Sequence, residues 1–417
     1  MKHIAPSSLF RIATIVATLT LSLSAHAADK YTIVRNFNEN SGGVLPAGAL
    51  LMDDAGNLFG TNTQGGSHNS GTVFELTPKA GGGWTYTVLF QCGSTSDCSL
   101  PVGSLVMDQA GNLYGSSLFG RVFQITKTGS NWTANVLHNF GVQSAPPSPV
   151  ILDAAGNLYG INPTGGKSNL GFVFELSPSA SGWTVAHLHD FNGTDGAAIS
   201  SNTENQVAGL VFDTAGNLYG TTVAGGTSSK CSGGCGVVFQ LKNSSGKWTE
   251  TVLHNFVGTD GANPISSLTI DSSGNLYGTA SAGGTKGFGV AFQVAPVSGG
   301  WQTHILHNFS GAHLDGEFPD SSLVMDSVGN LYGTTESGGG DHLSCQVQSD
   351  AGCGTAYELS LSGGQWKETI LKAFSGRNDG AFPQGVTLDP SGNLYGAAQA
   401  GGAQFEGLIF ELSPKTP

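Results

Sequence analysis

Charge is scarce in this chain. Asp, Glu, Lys and Arg make up 11% of 417 residues, against about 25% in ordinary globular domains. Positive charge is scarcer still: 16 Lys and Arg face 29 Asp and Glu, for a formal net charge of −13. No Lys/Arg cluster occurs. A nucleic-acid partner is therefore not expected, because such binders need a basic patch to displace counterions. Long apolar runs are also missing, with one exception near the N-terminus. There Lys2 and Arg11 precede an apolar stretch over 12–23, shorter than the roughly 20 residues that cross a bilayer. Ser24-Ala25-His26-Ala27 follows. This is the pattern of a secretory signal, residues 1–27, cleaved after Ala27. Ala28 rather than Cys comes next, so a lipid anchor is not expected, nor is a membrane span in the mature chain.

No cysteine is left over. The six fall as Cys92/Cys98, Cys231/Cys235 and Cys345/Cys353, each pair in a Gly/Ser/Asp-rich stretch. Scattered buried thiols would not pair so locally. Three short-range pairs favour disulfides in an oxidising compartment. A metal site would need two such pairs to meet in space. Export follows: secreted or periplasmic residence is expected.

What is plentiful is glycine, with 64 residues, about twice the usual share of roughly 7%. Much of it lies in one motif. GNLYG occurs at 111, 156, 216, 274, 329 and 392, and GNLFG at 56. Each copy is preceded by an apolar run and by Asp53, Asp108, Asp153, Asp213, Asp271, Asp326 or Asp389. A Gly-Gly loop follows in most copies, then a segment such as Val73-Phe74-Glu75-Leu76. Last comes a Trp-led segment such as 248–256. These are four strand-length segments per unit, separated by turn residues. The D-x-x-G stretch reads as a type I turn, with Asp accepting hydrogen bonds from the turn backbone. The units recur about every 45 to 63 residues, the range of propeller blades.

All six Trp residues head a fourth strand, and the seventh unit ends after Phe410-Glu411-Leu412 without one. Residues 31–37, Tyr-Thr-Ile-Val-Arg-Asn-Phe, match the missing strand. A split repeat makes sense in a closed ring, where the first strand completes the last sheet and removes an exposed edge. The fold expected is all-β: a single seven-bladed β-propeller of four-stranded antiparallel blades over 28–417, with 31–37 pairing to 407–412. The unit resembles the GloVer-type tandem repeat of exported bacterial proteins, which carries G-x-V-F-x-L, a V-L-H-x-F strand and an F-x-G-x-D-G-x-x-P loop. Here that loop reads Phe256-Val257-Gly258-Thr259-Asp260-Gly261-Ala262-Asn263-Pro264. The resemblance covers 31–412 and implies an extracellular or envelope location. It implies no activity. Members often end in a sorting segment. The stop at Pro417 favours secretion or the periplasm over anchoring.

In a meander, the strand 1–2 and 3–4 hairpins share one face of the disc. The strand 2–3 loops and the interblade connections share the other. All three cysteine pairs and the longest loops, 192–207 and 336–354, fall on this second face. Variable loops on a rigid scaffold are where binding sites sit, so this loop face is the expected working surface.

Within the repeats, most polar residues have a structural explanation. The seven motif Asp residues each cap their own turn. Tyr114, Tyr159, Tyr219, Tyr277, Tyr332 and Tyr395 recur as blade-to-blade packing. His138, His189, His254 and His307 sit on different blades and do not converge on one ion, although His187 and His189 could share a strand face. Asp195, Asp260, Asp315 and Asp379 read as Asp-Gly turns. The Gly-Gly loops precede no helix, so they lack the helix N-terminus that holds an anion. The repeat is most broken in blade 6. Its entry loop carries His313, Asp315, Glu317 and Asp320. Its strand 2–3 loop carries Glu336, Asp341, His342 and Asp350, closed by Cys345/Cys353. His313, Asp315, Glu317, Glu336, Asp341 and His342 form the candidate binding set, of a kind that takes a divalent cation or a polar ligand.

No cofactor is required by any motif, and no Ser/His/Asp constellation stands out. The functional expectation is a non-catalytic, monomeric binding or scaffold propeller. It would present its loop face to a polysaccharide, an envelope polymer or a protein partner. The alternative is a metal-dependent lactonase- or lyase-like enzyme with a cation at the channel mouth. That would require polar residues from several innermost strands to converge on the axis. Those strands read as apolar runs with no polar intruder.

Overall fold

The computed structural model describes residues 30–413, apart from 39–41, 94–96, 142–145, 199–207, 312–314, 341–344 and 346–351. The described residues contain no helix. They form seven four-stranded antiparallel sheets, six of them running in sequence order from the axis outward. Blade 4 is typical: Val211–Phe212, Leu218–Thr222, Val237–Ser244 and Lys247–Asn255. Blade 7 holds Ala381–Leu388, Leu394–Ala400 and Leu408–Ser413, and its outer strand is Lys30–Asn36. The register runs from Lys30 opposite Ser413 to Asn36 opposite Leu408. The ring is thus closed by the first described strand, as the split repeat requires.

The motif letters have separate physical jobs. Asp213 Oδ1 accepts the amides of Ala215 and Asn217. Its Oδ2 accepts the Asn217 side-chain amide and the Tyr219 hydroxyl. The first three bonds recur in all seven copies. The motif Leu is buried in every blade. The final Gly faces an aromatic ring from the third strand: a β-carbon on Gly60 would lie 2.5 Å from Phe74 Cζ, and the same crowding recurs at Gly115 and Gly396. Those rings, Phe74, Phe123, Phe174, Phe239, Phe292, Tyr357 and Phe410, are fully buried. Each contributes about 2–3 kcal/mol of burial.

Blades are joined by aromatic edges. Trp183 meets Tyr114 of the preceding blade, Trp248 meets Tyr159, Trp301 meets Tyr219 and Trp366 meets Tyr277. Trp84 meets Tyr395 across the closure at 5.5 Å. The Tyr ring is therefore interblade packing, with each described hydroxyl tied to its own turn.

At the axis the first strands are in close contact. Gly48, with φ +74°, lies against the backbone of Gly103, where any side chain would overlap. Gly103 abuts Pro149, and Pro149 lies beside Gly209. The Ser267 hydroxyl accepts the Gly209 amide, and the Ser322 hydroxyl accepts the Ser267 amide. Gly385 lies between Ser321 and Ala49. These contacts run through all seven blades and return to the first.

Candidate functional site on the loop face

The three disulfides form as paired in the sequence, Cys92–Cys98, Cys231–Cys235 and Cys345–Cys353. No free cysteine remains. The first lies in the connection between blades 1 and 2, and the other two lie between second and third strands. A β-carbon on Gly258, in the connection to blade 5, would sit within 4 Å of both Cys231 and Cys235 sulfurs. The two loop classes therefore meet on one face. Three disulfides are consistent with a non-cytosolic compartment. No helix of the described chain is long and apolar enough to cross a membrane. Residues 1–27, read as a secretory signal from the sequence, lie outside the described residues.

On this face the channel opens as a cavity of about 400 Å³. Its wall is built from the entry ends of the first strands and the exit ends of the second: Ala47, Ser104, Pro149, Ser266 and Ser322 contribute, with Thr63 and Gln399 from second strands. Its wall mixes uncharged hydroxyl and amide groups with the apolar side chains of Val102, Leu118, Ile265 and three prolines. One lining residue is charged. Asp320 occupies the position six before the turn Asp, where other blades carry Ala47, Val102, Pro147, Ile265 and Pro383. Asp320 precedes the innermost strand of blade 6, Val324–Met325, so this polar intruder on the wall comes from the segment leading into that strand. It is the only carboxylate among the described lining residues.

The candidate set in blade 6 is only partly assembled. His313, Asp341 and His342 lie outside the described residues, as does Asp350. Gly316–Glu317 pairs with Ser337–Gly338 in a two-stranded ribbon, which brings the entry loop onto the strand 2–3 loop. Glu317 is buried, with its carboxylate against Gly311, whereas Glu336 is exposed. Asp315 turns elsewhere. One of its oxygens accepts the Ser310 amide and hydroxyl, and the other reaches His307 Nε2 at 3.3 Å.

That contact belongs to a pattern the sequence reading missed. The outer strand of each blade ends in a residue opposite a buried position of the third strand: His189 opposite Val173, His254 opposite Val238, His307 opposite Ala291, Lys372 opposite Ala356. The Asp of the next connection caps its own turn through one oxygen, accepting the amide of Asn192, Val257, Ser310 or Ser375. It also meets that side chain. His189 Nε2 lies 3.1 Å from Asp195, His254 Nε2 lies 3.1 Å from Asp260, and Lys372 Nζ lies 2.6 Å from Asp379. His187 and His189 do not share a face. A bulge separates them, and His187 pairs with Asp190 at 2.9 Å.

Each site then meets the outer strand of the following blade, where the third partner varies. Opposite the buried Leu or Val of the third strand stand Glu250, Thr303, Glu368 and Tyr31 in blades 4 to 7. Lys372 lies over the Tyr31 ring, and across the closure Arg35 lies over Tyr86. Between blades 3 and 4, His189, Asp195 and Glu250 bring their ligand atoms within 4.8 Å of one another, and His307, Asp315 and Glu368 do so between blades 5 and 6. Burial, reinforced by the Asp195 charge, pushes Glu250 up to about 7. Burial pushes Glu368 up to about 8, with His307 pulling the other way and Asp315 adding to the rise. Burial would lower His307, but its bond to Asp315 and the charges of Glu368 and Asp315 hold it above the ordinary imidazole value.

The molecule is therefore a disulfide-bonded, seven-bladed propeller with a smooth turn face and an elaborated loop face. The chain belongs to the Gloeobacter/Verrucomicrobia repeat family, whose model matches residues 117–347, more than half of its length. No curated protein matches it. Among solved structures, it resembles a protein from Bacteroides uniformis provisionally described as a 6-phosphogluconolactonase, with 13% identity, covering 82% of this chain and 88% of that one, TM-score 0.52. A protein of unknown function from Dyadobacter fermentans aligns over 93% and 98% at 11% identity, TM-score 0.46. A gluconolactonase from Xanthomonas campestris aligns over 73% and 86% at 13% identity, TM-score 0.44. At such identities the likeness is one of fold.

Proposed function

We propose that this is an exported, non-catalytic binding propeller whose loop face holds a polysaccharide of the cell envelope at the channel mouth. The observation that carries this reading is the 400 Å³ mouth, where the hydroxyl and amide groups of Thr63, Ser104, Ser266, Ser322 and Gln399 stand among apolar side chains such as Val102, Leu118 and Ile265. Such a surface offers paired donors and acceptors to sugar hydroxyls, and its size suits a few sugar units. The disulfides that fasten the surrounding loops support the reading, since rigid loops lose less entropy on binding. A lactonase- or lyase-like centre would need several ligands or acid–base groups converging on the axis. Asp320 alone does not make such a set, and a fold shared at 13% identity does not supply one.

The test is a binding screen of the untagged protein against bacterial envelope polysaccharides and peptidoglycan fragments, repeated with Ala49→Trp. Ala49 lines the mouth, and an indole there would fill it. We expect at least one retained polymer, with affinity reduced tenfold or more by Ala49→Trp at an unchanged unfolding midpoint. Failure to retain any polymer, or binding indifferent to Ala49→Trp, would contradict the reading.

A further inference from the structure

We propose that the interfaces between blades 3 and 4 and between blades 5 and 6 each bind one divalent transition-metal ion of the zinc class. The ligands would be His189, Asp195 and Glu250 at the first, and His307, Asp315 and Glu368 at the second.

The spacing is the first ground. His189 Nε2 lies 3.1 Å from Asp195, and His307 Nε2 lies 3.3 Å from Asp315 and 3.4 Å from Glu368. Tetrahedral zinc with bonds of about 2.0–2.2 Å places its ligand atoms roughly 3.3–3.6 Å apart. The ligands already stand close to the edges of that tetrahedron, and three protein ligands leave one position for water. A nitrogen with two carboxylates suits zinc and its neighbours, whereas calcium takes six to eight oxygens.

The choice of partner is the second ground. A second carboxylate stands beside a His at both interfaces and beside neither Lys372 nor Arg35, which meet Tyr31 and Tyr86 instead. Charge neutralisation alone would favour the reverse, because Lys and Arg carry a permanent charge. A second carboxylate paired with a side chain that can ligate a metal is the signature of a ligand set.

The third ground is an unmet demand. The Oε1 atoms of Glu250 and Glu368 are buried and accept no hydrogen bond, and the Glu368 side chain is only 10% exposed. Carboxylates are seldom left so without a compensating group. Both Asp ligands are held in place by turn amides, Asn192 for Asp195 and Ser310 for Asp315, as outer-sphere partners orient ligands in metal sites. Each ion would join three segments: one outer strand, the connection after it and the next outer strand. The interface between blades 4 and 5 is an internal control. It keeps His254 and Asp260 but has Thr303 at the Glu position.

The experiment uses untagged protein, stripped with EDTA, dialysed against micromolar Zn²⁺ and assayed by plasma mass spectrometry. Two ions per chain are expected. Glu250→Gln and Glu368→Gln should each remove one, and the double variant should remove both. Thr303→Glu should add a third. Circular dichroism in EDTA checks that each variant folds. No retained zinc, two ions in the folded double variant, or no gain in folded Thr303→Glu would each overturn the proposal. None of these outcomes bears on polysaccharide binding at the channel.

Discussion

The two faces of the disc are built from the same chain by opposite rules. On the turn face, seven Asp residues make the same bonds in seven blades, and the two turn residues that vary are exposed. On the loop face, connections differ in length, three are fastened by disulfides and the interblade partners change from one junction to the next. The uniform face maintains the ring. The varied face has been freed to differ because the ring is maintained elsewhere. Conserved local geometry thus marks scaffold, and its interruption marks where chemistry can be placed.

The contrast can be broken most severely at the closure. Phe37 is fully buried between blades 7 and 1, against Phe74 and Tyr86. Phe37→Ala should cost about 3–5 kcal/mol, and removing 30–37 altogether should abolish cooperative unfolding, seen in denaturant titrations. A smaller effect is expected on the loop face. Cys231→Ser with Cys235→Ser should cost about 2 kcal/mol by the loop-entropy relation but should weaken polymer retention more than any turn-face change of equal cost.

Turn-face substitutions should cost stability alone. Asp213→Ala removes an acceptor of four hydrogen bonds and should cost about 1 kcal/mol, with ligand binding untouched. Acid should act at the same place. Burial alone would raise the Asp213 pKa, but bonds from Asn217, Tyr219 and Ala215 outweigh it and hold it below the ordinary value. Asp108, Asp153 and Asp271 behave alike. A group depressed on folding stabilises fully above its unfolded pKa, about 3.9, and loses that contribution as pH falls through the folded value. The urea midpoint should therefore drop below about pH 4, and less steeply in Asp213→Asn. The smallest effect sharpens the comparison. Blade 1 carries Phe59 where the six other blades present a Tyr hydroxyl to the turn Asp. Phe59→Tyr should raise stability by about 0.5 kcal/mol, measured by thermal unfolding.

The ring, the turns and the disulfides were legible in the sequence because each rests on local, repeated letters. Asp213 and Asn217 are four residues apart, and Cys231 and Cys235 are too. The interblade triads were not legible. Glu250 stands 61 residues from His189, and Glu368 stands 61 from His307. Only the register of the outer strands, with a bulge in each, shows that they meet. A faint signal existed: Glu sits two residues after the Trp in 248–250 and 366–368 and nowhere else among the Trp-led strands. Asp320 was hidden for a related reason, since only alignment from the turn Asp places it on the channel wall. Asp315 was selected in sequence as part of a blade 6 cluster. It serves the blade 5 to 6 junction instead, because its turn directs it toward His307.

Hydrogen–deuterium exchange of the two terminal strands tests the closure most directly. Amides paired between 30–36 and 408–413 should exchange as slowly as those between the third and outer strands of blade 4, 237–244 and 247–255, which form the equivalent antiparallel ladder. Rapid exchange confined to 30–36, with the other outer strands protected, would contradict a ring joined by its own first strand.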